Sequence, residues 1–434
     1  MKIAVVGAGI SGLSCAYRLA QANADVTLFE AGTYFGGHSN TVDVTLDGFT
    51  FGVDTGFLVF NERTYPALVN LFKELGVATA PSAMSFSVKL PRPGHSTLEW
   101  AGASLDTLFA QRANLLDPRF LRMVRDIVRF NRQASALAQG GAMPDIALGA
   151  WLDQQGYSAQ FRHWYLLPMA ACIWSCPSEQ MLAFPLSSFV RFCHNHGLLQ
   201  LSDRPQWRCV VGGSRNYVEA MLAIIGSRRL ATPVRSVLRT HGGARAVRLE
   251  TAASVEWFDH VVLACHSDQA LALLGDACGD ERAALSAIRY QQNKAVLHTD
   301  TRCLPARRKA WSAWNYQSHQ GSDGANPQVC VHYLLNLLQP LPCSTPVIVS
   351  LNPIDAPDPA RVIATFDYAH PVFDQGAVAA QAGVARFQGA QNTWFAGAWT
   401  GYGFHEDGLK SGLAIAASLT ALMASQQSQQ HAVA

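Results

Sequence analysis

MKIAVVGAGISGLSCAYRLAQANADVTLFEAG, residues 1–32, carries the pattern that decides the fold. Ile3–Val6 is a continuous apolar run of the kind a parallel strand buried on both faces requires. Ser11–Ala22 then places Leu13, Ala16, Tyr17 and Ala20 on one side at helical spacing, and Asp25–Phe29 reads as a second strand. Between strand and helix stand Gly7, Gly9 and Gly12. In a G-x-G-x-x-G the first glycine permits the tight turn and the second lets backbone approach a pyrophosphate. The third lets the helix pack close on the strand. The start of the helix, with Ser11 in its first turn, then offers free N–H groups and a partial positive charge to phosphate. Glu30 lies 18 residues past Gly12, at the carboxyl end of the second strand, where an acid accepts both ribose hydroxyl protons. Packing alone does not explain Glu30. The unit reads as a dinucleotide site.

Working outward, Gly36-Gly37-His38-Ser39 leads into Thr41–Val53, which alternates at period 2 around Asp47-Gly48, a hairpin turn signal. A helix is expected over Thr64–Leu75, ended by Gly76. SFSVKL-PRPG-HSTLEW reads as a second hairpin, followed to about residue 205 by amphipathic helices rich in Phe, Leu, Trp and Arg. Residues 209–275 return to the character of the opening segment, with CVVGGS before a helix, two strands paired about His241-Gly242-Gly243, and the buried strand HVVLAC. The chain closes with a strand, the glycine-rich turn FAGAWTGYGF and a helix. The fold expected is α/β. A Rossmann-like dinucleotide domain (1–84, 205–280 and 385–434) interleaves with an α+β substrate or cap domain (85–204 and 281–384).

A chain of 434 residues suggests two or three domains. The formal net charge of +2, without long Lys/Arg runs, argues against a nucleic-acid partner. Ten cysteines show no repeating spacing, as for reduced thiols in a cytoplasmic protein. Lys2-Ile3 leads straight into a core segment, so no signal peptide is expected. Apolar runs such as Trp164–Trp174 and Gly412–Ala424 fall short of the ~20 residues of a spanning helix, which leaves surface attachment to the inner membrane as the membrane reading.

Several separated stretches resemble the superfamily of flavin-containing amine oxidases, phytoene desaturases and protoporphyrinogen oxidases. The first is VVGAGISGLSCAYRLA with LFEAG and Gly36-Gly37, where the family usually continues with an arginine and this chain has His38. The second is FTFGVDTGFLVF, whose Asp54, Gly56 and Phe57 the resemblance places near the flavin. The third is VVGGS with PVRSV, where the family lays a valine backbone on adenine, implicating Val234. The fourth is TWFAGAWTGYGFHEDGLKSGLAIA, with Gly397, Ala398, Gly403, Phe404, Asp407, Gly408 and Leu409. Reduced flavin is negative near N1 and O2, and a helix beginning at Gly408–Lys410, after a Gly403–Asp407 turn, supplies a counter-charge. FAD is therefore implied. Binding is expected to be non-covalent, since no Cys or His clearly takes the family's attachment position. GFHEDGLKSG, NTWFAGAW and the Trp311–Tyr316 run resemble predicted FAD-binding proteins of bacterial cyclopropane and furan fatty-acid pathways.

The resemblance puts Lys294 where some amine oxidases hold a water near flavin N5, an exposed strand lysine being the plain alternative. His405 or Glu406 is expected at the flavin edge or substrate, with helix capping the alternative for Asp407. His370 lines the pocket or serves a turn, and Asn61, Trp311, Trp314 and Tyr316 wall a channel or fill the core. Cys172, Cys176 and CHNHG (193–197) match no zinc spacing, so no metal is expected. No G-x-S-x-G marks a hydrolase. The leading reading is an FAD-dependent oxidoreductase that takes hydride from a lipophilic substrate, such as a methylated fatty acyl chain. Alternatives are an amine or polyamine oxidase, with Tyr402 or Phe404 as a flanking aromatic, and a non-catalytic flavin-binding partner of a lipid methyltransferase.

Overall fold

The computed structural model describes residues 1–92, 94–140, 143–174, 181–200, 204–240, 246–318 and 330–433; Cys176, Pro93 and the turn His241–Gly243 fall outside them. Side chains are described to residue 428. The opening unit forms as read: strand Lys2–Val6, helix Ile10–Gln21, strand Asp25–Phe29. They belong to a five-stranded sheet of Ser227–Arg229, Asp25–Phe29, Lys2–Val6, His260–Leu263 and Thr393–Phe395. Every pairing in it is parallel. Its central strands are buried, which is why they read as unbroken apolar runs.

The glycines do the steric work expected of them. Gly7 has φ +101°, and a Cβ there would meet Ala264 O at 2.7 Å; a Cβ on Gly12 would sit 1.8 Å from Gly7 O. The Asp47-Gly48 hairpin joins Thr41–Leu46 to Phe49–Asp54, with both turn residues at positive φ. Gly76, φ +67°, ends the helix Pro66–Leu75.

A second sheet has seven strands in the order Val362–Val372, Arg289–His298, Ile348–Leu351, Cys330–Leu334, Trp314–Gln317, Phe86–Arg92, His95–Ala101. It joins the hairpin near residue 90 to strands from beyond residue 285. Helices Pro118–Gln139, Leu148–Gln154, Leu167–Trp174 and Leu186–Asn195 form a layer around a shared aromatic core that includes Phe130, Trp151, Phe161, Trp174, Phe189 and Phe192.

The terminal helix runs His405–Val433, so it begins three residues earlier than expected. It lies across the first helix at very short range: a Cβ on Gly412 would meet Ser11 O at 2.1 Å, and one on Gly408 would meet Ser11 Oγ at 2.9 Å. Two glycines one turn apart let two backbones touch. Over His405–Ser428 this helix is long and apolar enough to cross a membrane by length and composition, which corrects the expectation from run length. Leu409, Ile415, Ala416 and Leu419 nevertheless lie in the main core cluster, as in the core helix of a globular fold.

Candidate active site

The parallel sheet delivers the residues that follow four of its strands to one edge: Gly7, Glu30, Ala264 and Ala396, with Gly397 next. Ligands of such sheets bind at that edge. Gly9 caps the first helix with no side-chain hydrogen bond, and a Cβ built on it meets nothing within 4 Å. The first-turn amides therefore face room enough for phosphate. Glu30 is held in place by two amides: Ala8 N–H donates to Oε2 at 2.8 Å and Gly32 N–H to Oε1 at 2.7 Å. A carboxylate oxygen has a second lone pair, so Glu30 keeps capacity for two ribose hydroxyls. Val234 opens the strand Val234–Arg239 just after Thr232, whose N–H donates to Glu30 O at 2.8 Å; it stands at the same end of the site. Gly36 N–H donates to Ala8 O at 2.9 Å, and a Cβ on Gly37 would lie 3.2 Å from Gly9 Cα. The Gly36–Ser39 segment thus lies against the glycine loop. These residues fit the adenine and pyrophosphate half of a dinucleotide.

Farther along, four histidines gather. The His38 ring stacks on Tyr368 at 4.7 Å and lies 5.1 Å from His370, and its Nε2 is buried with no partner among the described residues. Phe57 stacks on His405 at 3.9 Å. Tyr217 Oη bridges Ser39 Oγ (2.5 Å) and His405 Nε2 (2.9 Å). His266 stacks on Tyr290 at 4.2 Å. Burial lowers His405 to about 3, and burial, then His266, lowers His370 to about 4. His38 is pushed well below the usual imidazole range by burial, then by His370, His266 and His405. At neutral pH these rings are uncharged. Burial is the leading influence on all three, and among the described residues Asp268 acts on the neighbouring His266.

The structure places the other expected site residues in differing surroundings. Lys294 is exposed, opposite Asp367 in the sheet, while its neighbour Asn293 is the buried residue. Strand alternation sends the lysine to the far face, so it does not reach the histidines. Glu406 is buried, and Ala67 N–H and Leu68 N–H donate to its two oxygens at 2.9 and 3.0 Å. It caps the helix Pro66–Leu75 and also pairs with Lys410. Asp407 Oδ2 accepts from Tyr402 N–H (3.1 Å) and Phe404 N–H (3.0 Å), so it caps its own helix; burial pushes it up to about 6. Asp54 is saturated inside the protein by Thr41, Ser214 and Gln339, and burial raises it against those hydrogen bonds. Gly56 packs on backbone, a Cβ there meeting His38 O at 2.4 Å.

Ser11 and Gly408 face each other across the helix crossing, and Leu409 is core. The Gly408 N–H already donates to Phe404 O at 3.1 Å, so the first-turn amides without such a bond are those of His405 and Glu406. In the turn before them, Gly397 lies under the Trp399 indole, and Ala398 O accepts from Gly401 and Gly403 N–H, both 3.1 Å. Gly403 has φ +88°, and Phe404 stacks on Phe192 at 4.9 Å.

Sequence reading missed Asn293, Tyr368, Tyr217 and His266. Lys294 N–H donates to Asn352 Oδ1 (2.8 Å), Asn352 Nδ2 to Asn293 Oδ1 (2.7 Å), and Asn293 Nδ2 to His370 Nδ1 (2.7 Å). A backbone amide therefore sets both asparagine orientations and leaves the His370 proton on Nε2. Alternation of Gln291, Asn293 and Ala295 was the signal available.

Residues 10–335 match the model of the flavin containing amine oxidoreductase family. A Mycobacterium tuberculosis protein assigned as a flavin-containing monoamine oxidase is 24% identical over 260 residues, 57% of this chain and 53% of its own. The chain thus spans about half the length of the curated relatives it matches first. Among solved structures, cyclohexylamine oxidase from Brevibacterium oxydans superposes with TM-score 0.66 at 17% identity over 97% of this chain and 99% of that one. A CLA-producing fatty acid isomerase from P. acnes gives 0.62 at 16% identity, over 94% and 96%. A glycine loop followed by Glu30, a second glycine-rich turn near the other terminus, and a family profile matching residues 10–335 lead to one statement: this chain belongs to the flavin containing amine oxidoreductase family.

Proposed function

We propose that the substrate is lipophilic, a methylated fatty acyl chain being the leading candidate, and that the enzyme works at the cytoplasmic face of the membrane. The observation that carries this is the charge of the site. Burial holds the imidazoles of His38, His370 and His405 below the usual range. The acids felt nearby among the described residues are Asp268 at His266 and the hydrogen-bonded Asp54 at Tyr217 and Tyr368, and Tyr368, Phe57 and Phe404 stand beside the rings or in the adjoining turn. An alkylammonium ion buried there would lack the counter-charge that burial demands. Glu406 and Asp407, the nearest acids in sequence, both cap helices. The amine-oxidase fold itself does not choose, since similar folds serve an amine in one protein and a fatty acid in another.

Bound FAD supplies the hydride acceptor. The chain orients the reacting bond against it, excludes water through the aromatic layer, and holds the His370 proton on Nε2 through Asn293. Cys265, beside the glycine loop, is pushed up to about 12 by burial and presents a thiol rather than a thiolate, which supports non-covalent FAD. The two sheets support a division into an FAD domain (1–84, 205–280, 385–434) and a substrate domain (85–204, 281–384).

Anaerobic mixing tests the reading. Flavin colour should bleach with phospholipid carrying methylated acyl chains and persist with amines. Bleaching by amines alone would establish the amine-oxidase reading instead, and bleaching by neither would favour the non-catalytic partner.

A further inference from the structure

The helix Pro118–Gln139 buries Phe120, Met123, Phe130 and Ala134 on one side. The opposite side of such a helix is ordinarily polar. Here Leu121 (44% exposed) and Val128 (54%) alternate with Arg125 and Arg132 at i, i+4, i+7 and i+11, one continuous stripe. Ahead of it in the chain Leu115 and Leu116 are also exposed, the latter 89%, as is Leu105 (76%) at the start of the short helix Leu105–Leu108.

The cations on this surface outnumber the acids free to answer them. Arg122, Arg125 and Arg132 are exposed and have no ion pair among the described residues. The local acids are committed: Asp117 to Arg92 and Arg119, Asp126 to Arg129, Asp106 to Arg112 and Lys309. Large apolar side chains interleaved with unpaired arginines match an anionic bilayer surface, where leucines enter the acyl boundary and guanidinium groups meet lipid phosphates. We propose that this face docks the enzyme on anionic membrane. A protein partner would need a separate pocket for each projecting leucine, whereas a fluid interface conforms to all of them.

The same helix leads inward to the site. Phe130 packs on Phe189 at 6.4 Å, and Phe192, on that second helix, stacks on Phe404 in the glycine-rich turn. Access of a bilayer acyl chain to the flavin rests on the lipophilic-substrate reading; the docking itself does not.

Co-sedimentation of the full, FAD-loaded chain with vesicles tests it. Binding is expected to equal parts phosphatidylglycerol and phosphatidylcholine, to be weak to phosphatidylcholine alone, and to fall with salt. R122E/R125E/R132E should weaken binding by about a hundredfold, from roughly fivefold per lost cation. L116D/L121D should also release the protein while circular dichroism and flavin absorbance stay unchanged. The proposal is overturned if the unaltered enzyme stays in solution with anionic vesicles, or if both folded variants bind as it does. Because the readout is partition rather than turnover, a failed flavin-bleaching test would leave this result standing, and failed sedimentation would remove the membrane location while leaving the substrate class to the bleaching test.

Discussion

Gly12 is the residue with least freedom. A Cβ placed 1.8 Å from Gly7 O forces the helix away from the strand that presents the phosphate loop. Gly12→Ala should therefore yield protein that is colourless or fails to fold, read by flavin absorbance and circular dichroism. Asn293 and Lys294 offer the converse comparison, adjacent residues on opposite faces of one strand. Lys294→Ala should leave the rate of flavin reduction within about twofold, since exposed strand positions carry little energy. Asn293→Ala removes the partner of His370 Nδ1 and should slow reduction by about tenfold, roughly the worth of one hydrogen bond. Equal losses in the two variants would return the lysine to the site. Glu30 was legible because its distance from the glycines is set within one βαβ unit; Asn293 was not, because a strand's inner face shows only against its neighbours.

Between elements, the terminal helix makes two attachments that no local pattern announces. Its Gly412 touches the backbone of the first helix, so Gly412→Val should cost about 1–3 kcal/mol or more and lower the melting temperature of the holoenzyme. Its Glu406 caps a helix some 340 residues earlier, accepting from Ala67 and Leu68. Glu406→Ala should cost about 1–2 kcal/mol, with Glu406→Gln in between because an amide oxygen preserves one acceptor. A fall in activity at unchanged stability would instead restore a catalytic role to Glu406. HEDG was read as the turn before a helix starting at Gly408, whereas the helix starts at His405, and an acid in a first turn caps helices as readily as it meets a ligand.

Across the whole molecule, buried neutral imidazoles set the response to acid. His298 and His332 share the Ser350 hydroxyl, each at 2.6 Å, inside the seven-stranded sheet, and burial lowers them to about 4 and about 3. His370 and His405 behave alike. Unfolded imidazole titrates near pH 6.5, so below that pH the unfolded chain holds protons that the folded one does not. Stability is full above about 6.5 and is lost as pH falls toward about 4. The melting temperature at saturating FAD should drop steadily over that window, and a flat profile would mean that these rings are already charged in the native state.

The amino-acid sequence by itself determined the βαβ unit, its dinucleotide site and both hairpins, because each depends on steric tolerance at a few Cα atoms and on apolar period within about thirty residues. By resemblance it also suggested that the final glycine-rich turn meets the cofactor. Tertiary structure alone decided which member of each acidic or cationic group faces the site. The choice of Asn293 over Lys294 is a one-residue alternation that reverses with register, and the meeting of His38, His370 and His405 requires two sheets and the last helix to close on one another.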